Sequence, residues 1–89
     1  MSDKKKIAVI GSGNFGTAVA RHVSRNVNTS KELQKCFQKQ VDMWVFEETL
    51  KDGRKLTEVI NTDHVNVKYL PNASLPENLV AKPQLADVV

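Results

Sequence analysis

Ile7-Ala8-Val9-Ile10 is an unbroken apolar run, and it meets Gly11-Ser12-Gly13-Asn14-Phe15-Gly16 with no spacer between them. That junction narrows the possible folds sharply. A short run rich in β-branched residues suits a strand buried on both faces, as in a parallel sheet. The G-x-G-x-x-G pattern after it reads as a tight exit from the strand into a helix, with a separate physical task for each glycine. Gly11 permits the turn. Gly13 lacks a Cβ, so the backbone there can approach a pyrophosphate. Gly16 lets the helix pack closely on the strand it has just left. Ser12, Asn14 and Phe15 complete the loop. A pyrophosphate would sit at the helix N-terminus, where N–H groups and the positive end of the helix dipole favour an anion.

Alone, the pattern is common; between a strand and a helix it has the context that a dinucleotide site requires. A glycine-rich turn with no ligand is the competing reading of the same residues. Eighty-nine residues allow one domain and a modest core. With 40% apolar and 26% charged residues, the composition is that of an ordinary soluble globular chain. The net charge of +3 owes much to Lys4, Lys5 and Lys6 beside the first strand. No aromatic residue is interleaved with them, so they read as a solvated flank, and no nucleic-acid partner is expected. Cys36 is the single cysteine, which excludes an internal disulfide and a multi-cysteine metal site. No apolar stretch is long enough for a secretory core or a membrane span, so a soluble, cytoplasmic protein without a membrane partner is expected.

Beyond the loop, Phe15, Ala18, Val19 and Val23 recur at helical spacing, with Ala20 flanking and Arg21, His22 and Arg25 on the polar side. This predicts an amphipathic helix from about Asn14 to about Arg25. Asn26-Val27-Asn28-Thr29-Ser30 predicts its end. Ser30 predicts the cap of a short helix carrying Leu33, Cys36 and Phe37. Val41 to Phe46 reads as the second strand, followed by Glu47 and Glu48.

An acid just past the second strand is the usual partner of the adenosine ribose hydroxyls, about twenty residues beyond the glycines. Glu47 follows Gly16 by 31 positions, and the short inserted helix accounts for the excess. An acid there disfavours a 2′-phosphate and so favours NAD over NADP. Equally, Glu47 and Glu48 read as the start of a solvated loop.

Lys51-Asp52-Gly53-Arg54 predicts a turn, and Lys55 to Asn61 a helix with Leu56, Val59 and Ile60 facing inward. Residues 61–71 show no clean period. His22 reads as an exposed helix residue, and His64 as a hydrogen-bonded structural histidine or a contact residue. Pro71 to Pro76 reads as an extended loop and Asn78 to Ala81 as a third strand. Pro83 reads as the start of a helix with Leu85, Val88 and Val89 on one face. In order, these elements make the β-α-β-α-β half of a doubly wound α/β sheet of the Rossmann type, all parallel, with strand order 3-2-1. The first strand would then have an exposed edge, where a fourth strand should pair. Residues 1–89 therefore read as an incomplete N-terminal NAD-binding domain, with a C-terminal substrate and catalytic domain outside them.

Five segments carry a closer resemblance. They are IAVIGSGNFGTA from Ile7 to Ala18, MWVFEE from Met43 to Glu48, KLTEVINT from Lys55 to Thr62, HVNVKYLP from His64 to Pro71, and LPENLVA from Leu75 to Ala81. In order and spacing they resemble the N-terminal part of the eukaryotic-type NAD-dependent glycerol-3-phosphate dehydrogenases. The glycine loop is shared with many dehydrogenases; WVFEE and KYLP are far more specific. The resemblance implies NAD as cofactor, with Gly11, Ser12, Gly13, Asn14, Phe15 and Gly16 around its pyrophosphate and Phe46 beside its adenosine end. The family usually carries Trp where Phe15 stands, so an aromatic plane is kept and an indole N–H is lost.

The resemblance further implies reversible hydride transfer between NADH and dihydroxyacetone phosphate, giving sn-glycerol 3-phosphate, and a homodimer when the protein is complete. The family's catalytic lysines and substrate-phosphate contacts lie in later segments, so no catalytic residue is assigned here. A binding-only or non-functional fragment that keeps the adenosine half-site is the alternative. The glycine loop alone also admits a flavin or S-adenosylmethionine, but the other segments do not resemble proteins of those kinds.

Overall fold

The computed structural model describes residues 4–11 and 13–88. The element order is β1 (Lys5–Ile10), α1 (Asn14–Thr29), α2 (Lys31–Cys36), β2 (Phe37–Trp44), α3 (Leu56–Asp63), β3 (Leu79–Lys82) and a short 3-10 turn (Leu85–Asp87). The three strands form one parallel sheet in the order β1-β2-β3, which is the expected 3-2-1 arrangement. Ile7, Val9 and Ile10 stand opposite Val41, Met43 and Trp44 of β2, and Val41, Met43 and Trp44 stand opposite Leu79, Ala81 and Lys82 of β3.

Expectation and structure differ over which strand is buried. β1 is an edge strand and alternates: Ile7 and Val9 are half-buried, whereas Ala8 is exposed and Ile10 is 54% exposed. β2 is the strand closed on both faces. Val41 and Met43, with Val45 just beyond the strand end, point into the core formed with Ala20, Leu56, Ile60, Leu75, Leu79 and Ala81. On the opposite face Asp42 is buried between the ammonium groups of Lys82, at 3.2 Å, and Lys6, at 3.8 Å. An apolar run marks a buried strand only where both neighbours and both covering layers are present. Here β2 has two neighbouring strands, and β1 has one.

Two boundaries move for physical reasons. α1 runs four residues past the predicted end at Arg25 because Val27 is fully buried, and that burial outweighs the turn preference of its asparagine neighbours. Its inward face is Thr17, Ala20, Ser24 and Val27, with Val23 packed partly against the core. Phe15 and Val19 instead face outward, and so does Ala18. Small side chains let the helix lie close to the sheet, so the larger apolar residues are displaced from the contact.

β2 begins at Phe37 rather than Val41, because pairing with Lys5 extends it through polar residues that no hydropathy pattern marks. The Ser30 cap is present, its hydroxyl accepting from Leu33 N at 3.3 Å. Gln34 then donates to Val27 O at 2.7 Å and Asn28 O at 3.1 Å, which satisfies carbonyls at the end of α1.

α3 matches its prediction closely, with Leu56, Val59 and Ile60 inside. It ends at His64, whose left-handed backbone (φ 56°) closes the helix through His64 N to Ile60 O at 3.1 Å. Asn61 on this helix bonds both backbone groups of Ala81 in β3. Its amide donates to Ala81 O at 3.0 Å and accepts from Ala81 N at 2.7 Å. The helix predicted from Pro83 is a single 3-10 turn with Leu85 exposed and Val88 buried; Val89 lies outside the described residues.

Candidate cofactor-binding site

The glycine turn sits at the C-terminal end of β1. Gly11 has φ +125°, a backbone conformation that side-chain-bearing residues rarely adopt. Gly11 N also donates to Trp44 O at 3.4 Å, prolonging the pairing of β1 with β2. A Cβ on Gly16 would lie 2.9 Å from Gly11 O and 3.1 Å from Gly11 C. The first turn of α1 therefore rests directly on the backbone at the end of the strand. A Cβ on Gly13 would meet nothing within 4 Å, so its outer side is open. Ser12, a predicted site residue, lies outside the described residues.

Gly13 is also the N-cap of α1. It offers no side-chain acceptor, and the first turn carries no acidic residue. The positive end of a 16-residue helix is thus not offset by a local negative charge. Asn14 and Phe15 follow it, both exposed, Phe15 to 83%. Phe46, predicted at the adenosine end, lies just beyond β2 and is 68% exposed. Its ring stands edge-on to Trp44 with centroids 6.5 Å apart. Phe46 follows Trp44, the register partner of Ile10, by two residues, so it leaves the sheet at the same end as the glycine turn. The site residues outside Ser12 are thus gathered at one end of the sheet.

The two glutamates after β2 have roles that were not read from the sequence. Glu47 reaches the start of α3, where one carboxylate oxygen accepts from Thr57 N at 3.1 Å and the other from the Thr57 hydroxyl at 2.5 Å. It also accepts from Glu48 N at 3.3 Å. Glu47 is therefore a capping group for a helix whose own N-cap, Lys55, supplies none. Burial pushes this carboxyl up, but the hydrogen bonds from Thr57 and Glu48 and the Lys55 charge together hold it below the ordinary value.

Glu48 turns the other way and accepts from the Lys68 ammonium and, at 3.0 Å, from the Tyr69 hydroxyl. Those two hydrogen bonds, Lys68 first, hold the Glu48 carboxyl low, and the same contact holds Lys68 high. The two most family-specific segments, WVFEE and KYLP, are thus tied to each other. Neighbouring glutamates with partners 10 and about 20 positions downstream leave no local signal of these contacts.

Asn66 anchors the same stretch. It is fully buried and donates to the Thr17 hydroxyl at 2.9 Å, while its carbonyl oxygen accepts from Tyr69 N at 3.1 Å. Thr17 N in turn donates to Gly13 O at 2.9 Å, closing the first turn of α1. His64 serves as the cap of α3, and its carbonyl accepts from Leu75 N at 2.7 Å; His22 is exposed on α1. Among the described residues no group of His, Cys, Asp and Glu side chains could hold a metal ion. No helix among them is long and apolar enough to cross a membrane.

A parallel strand passing through a glycine turn into a closely packed helix, with a second strand ending alongside, defines the class: the first half of a doubly wound α/β domain of the dinucleotide-binding type. Residues 6–89 match the family described as NAD-dependent glycerol-3-phosphate dehydrogenase N-terminus. The chain belongs to that family. It is 60% identical over 84 residues to a glycerol-3-phosphate dehydrogenase [NAD(+)] of Lachancea thermotolerans, an alignment covering 94% of this chain and 20% of that protein. Over 84 residues it is 57% identical to a glycerol-3-phosphate dehydrogenase 1-like protein of Xenopus tropicalis, covering 94% of this chain and 22% of the relative.

The solved structure of a glycerol-3-phosphate dehydrogenase from Saccharomyces cerevisiae superposes with a TM-score of 0.89 at 52% identity, covering 98% of this chain and 24% of that one. The chain thus spans about a fifth of the length of the relatives it matches.

Proposed function

We propose that this chain holds the adenosine and pyrophosphate portion of NAD for an NAD-dependent sn-glycerol-3-phosphate dehydrogenase. In this reading Gly11, Ser12, Gly13, Asn14 and Gly16 surround the pyrophosphate at the N-terminus of α1. Phe15 and Phe46 offer apolar surface, Phe46 at the adenosine end. The observation that carries it is the fit of Gly16 against the Gly11 carbonyl, which seats an uncapped helix N-terminus at the end of a parallel strand.

The reaction proposed for the complete protein is sn-glycerol 3-phosphate + NAD+ = dihydroxyacetone phosphate + NADH, which places it in carbohydrate metabolism. When bound, NAD supplies the hydride acceptor. The residues of this chain bind and orient it, and none of them is assigned as acid or base. A cytoplasmic, homodimeric complete protein is part of the same reading.

Glu47 enters as a helix cap, its carboxylate accepting from Thr57 and from Glu48 N. Its charge still lies beside the adenosine end and disfavours a 2′-phosphate. Trp44 is the sole tryptophan and touches Phe46, so its fluorescence reports on ligand at that end. NAD should change that signal saturably in the 89-residue chain, and Gly13→Val should abolish the response by blocking the backbone's approach to the pyrophosphate. An unaltered titration in Gly13→Val would show that the turn does not hold the cofactor.

A further inference from the structure

The turn from Asn66 to Leu70 contributes no residue to the glycine loop, yet it bonds to both sides of the site. At one end, Asn66 is fully buried and holds the hydroxyl of Thr17, in the first turn of α1. At the other end, Lys68 and Tyr69 hold the carboxylate of Glu48, two residues after Phe46. The turn itself is closed by Tyr69 N to the Asn66 side chain at 3.1 Å and Leu70 N to Asn66 O at 2.8 Å. A continuous hydrogen-bonded path therefore runs from Gly13 through Thr17, Asn66 and Tyr69 to Glu48. It avoids the sheet entirely.

We propose that this path is a strut that sets the separation between the pyrophosphate cradle at Gly13–Gly16 and the adenosine wall at Phe46, with Asn66, Tyr69 and Glu48 as positioning residues. The inference rests on the cofactor reading above and deepens it. The backbone pairing of β1 with β2 holds the strand ends together, but Phe46 leaves the sheet beyond the last register pair, Ile10 with Trp44. Besides the strut, the Phe46 segment is tied by Val45 N to Lys82 O at 2.9 Å, by Leu56 N to Glu48 O at 2.8 Å, by the Glu47 carboxylate on Thr57 and by the contact of Phe46 with Trp44. The hydrogen bonds among these run to β3 and α3, whereas the strut runs to the first turn of α1. A ligand that bridges both walls gains from their fixed spacing in the way that linked binding sites gain from a rigid linker; a ligand that touches one wall does not.

The two kinds of ligand separate this role from a merely stabilising one. ADP bridges both walls, adenosine occupies one and inorganic pyrophosphate the other. Glu48→Ala and Tyr69→Phe chains are prepared, their melting recorded, and each ligand titrated well below the melting temperature. In Glu48→Ala, ADP should weaken by about tenfold while adenosine and pyrophosphate bind as they do to the parent. Tyr69→Phe, which keeps the Lys68 contact, should show a smaller loss confined to ADP.

Equal ADP affinity in parent and variants would overturn the strut. So would a matching loss for adenosine alone, which would mean local damage to one wall. If Glu48→Ala does not fold, Tyr69→Phe decides by the same comparison. A parent chain that fails to bind ADP overturns the cofactor reading and the strut with it. Binding in the parent that the variants leave unchanged overturns the strut alone.

Discussion

Gly13 and Gly16 are three positions apart, and a side chain at each would have opposite consequences. At Gly16 a methyl group would press on the Gly11 carbonyl at 2.9 Å, against backbone that cannot rotate away. Gly16→Ala should therefore cost about 1–3 kcal/mol of stability, visible as an earlier denaturant midpoint, whether or not cofactor is present. At Gly13 the backbone is extended and the added atom meets no protein, so Gly13→Val should melt like the parent and fail only in binding. Finding both variants equally destabilised would show that the turn is wholly a packing device. Ordinary residue-level logic anticipates this contrast, because strand, glycines and helix are contiguous. The glutamates behave differently. Glu47 and Glu48 share a local context, yet one side chain reaches α3 and the other reaches Lys68 and Tyr69. Which neighbour each meets depends on how the chain returns after β2, and nothing within a few residues of them encodes that return.

At the scale of elements, α3 is fastened near both ends by side-chain hydrogen bonds, beside the His64 cap that closes it. Glu47 holds its start, and that contact has a definite pH dependence. The folded carboxyl lies below the ordinary 4.5, so the cap contributes in full above that value and is lost as pH falls through the depressed folded one. Glu47→Gln should melt lower at neutral pH, by about 1 kcal/mol, and show a shallower decline in acid. Melting curves collected from neutral pH downward check this; parallel acid limbs in the two proteins would refute it. Near the other end, Asn61→Ala removes two hydrogen bonds to Ala81 and should cost about 1–3 kcal/mol. The extent of α3 was readable because Leu56, Val59 and Ile60 keep helical spacing and all three are buried. The extent of α1 and β2 was not. Val27 extends the helix through residues that prefer turns, and pairing with Lys5 extends the strand through Gln38, Lys39 and Gln40, which are polar and exposed. In both cases a partner distant in sequence outweighs the local preference.

For the whole molecule, the sheet has its helices on one face and two unlike edges. The core lies between the sheet and helices α1 and α3, while Ala8, Ile10 and Phe46 leave apolar surface exposed elsewhere. The edge beyond β3 is occupied, because the Asn61 amide supplies the donor and acceptor that another strand would bring to Ala81. The edge of β1 has no such occupant among the described residues. The two edges therefore differ in kind: on the β3 side the pairing groups of Ala81 are already taken by a side chain of the same domain. A single amide thus works as a stopper, filling at Ala81 the place that the backbone of a further strand would take.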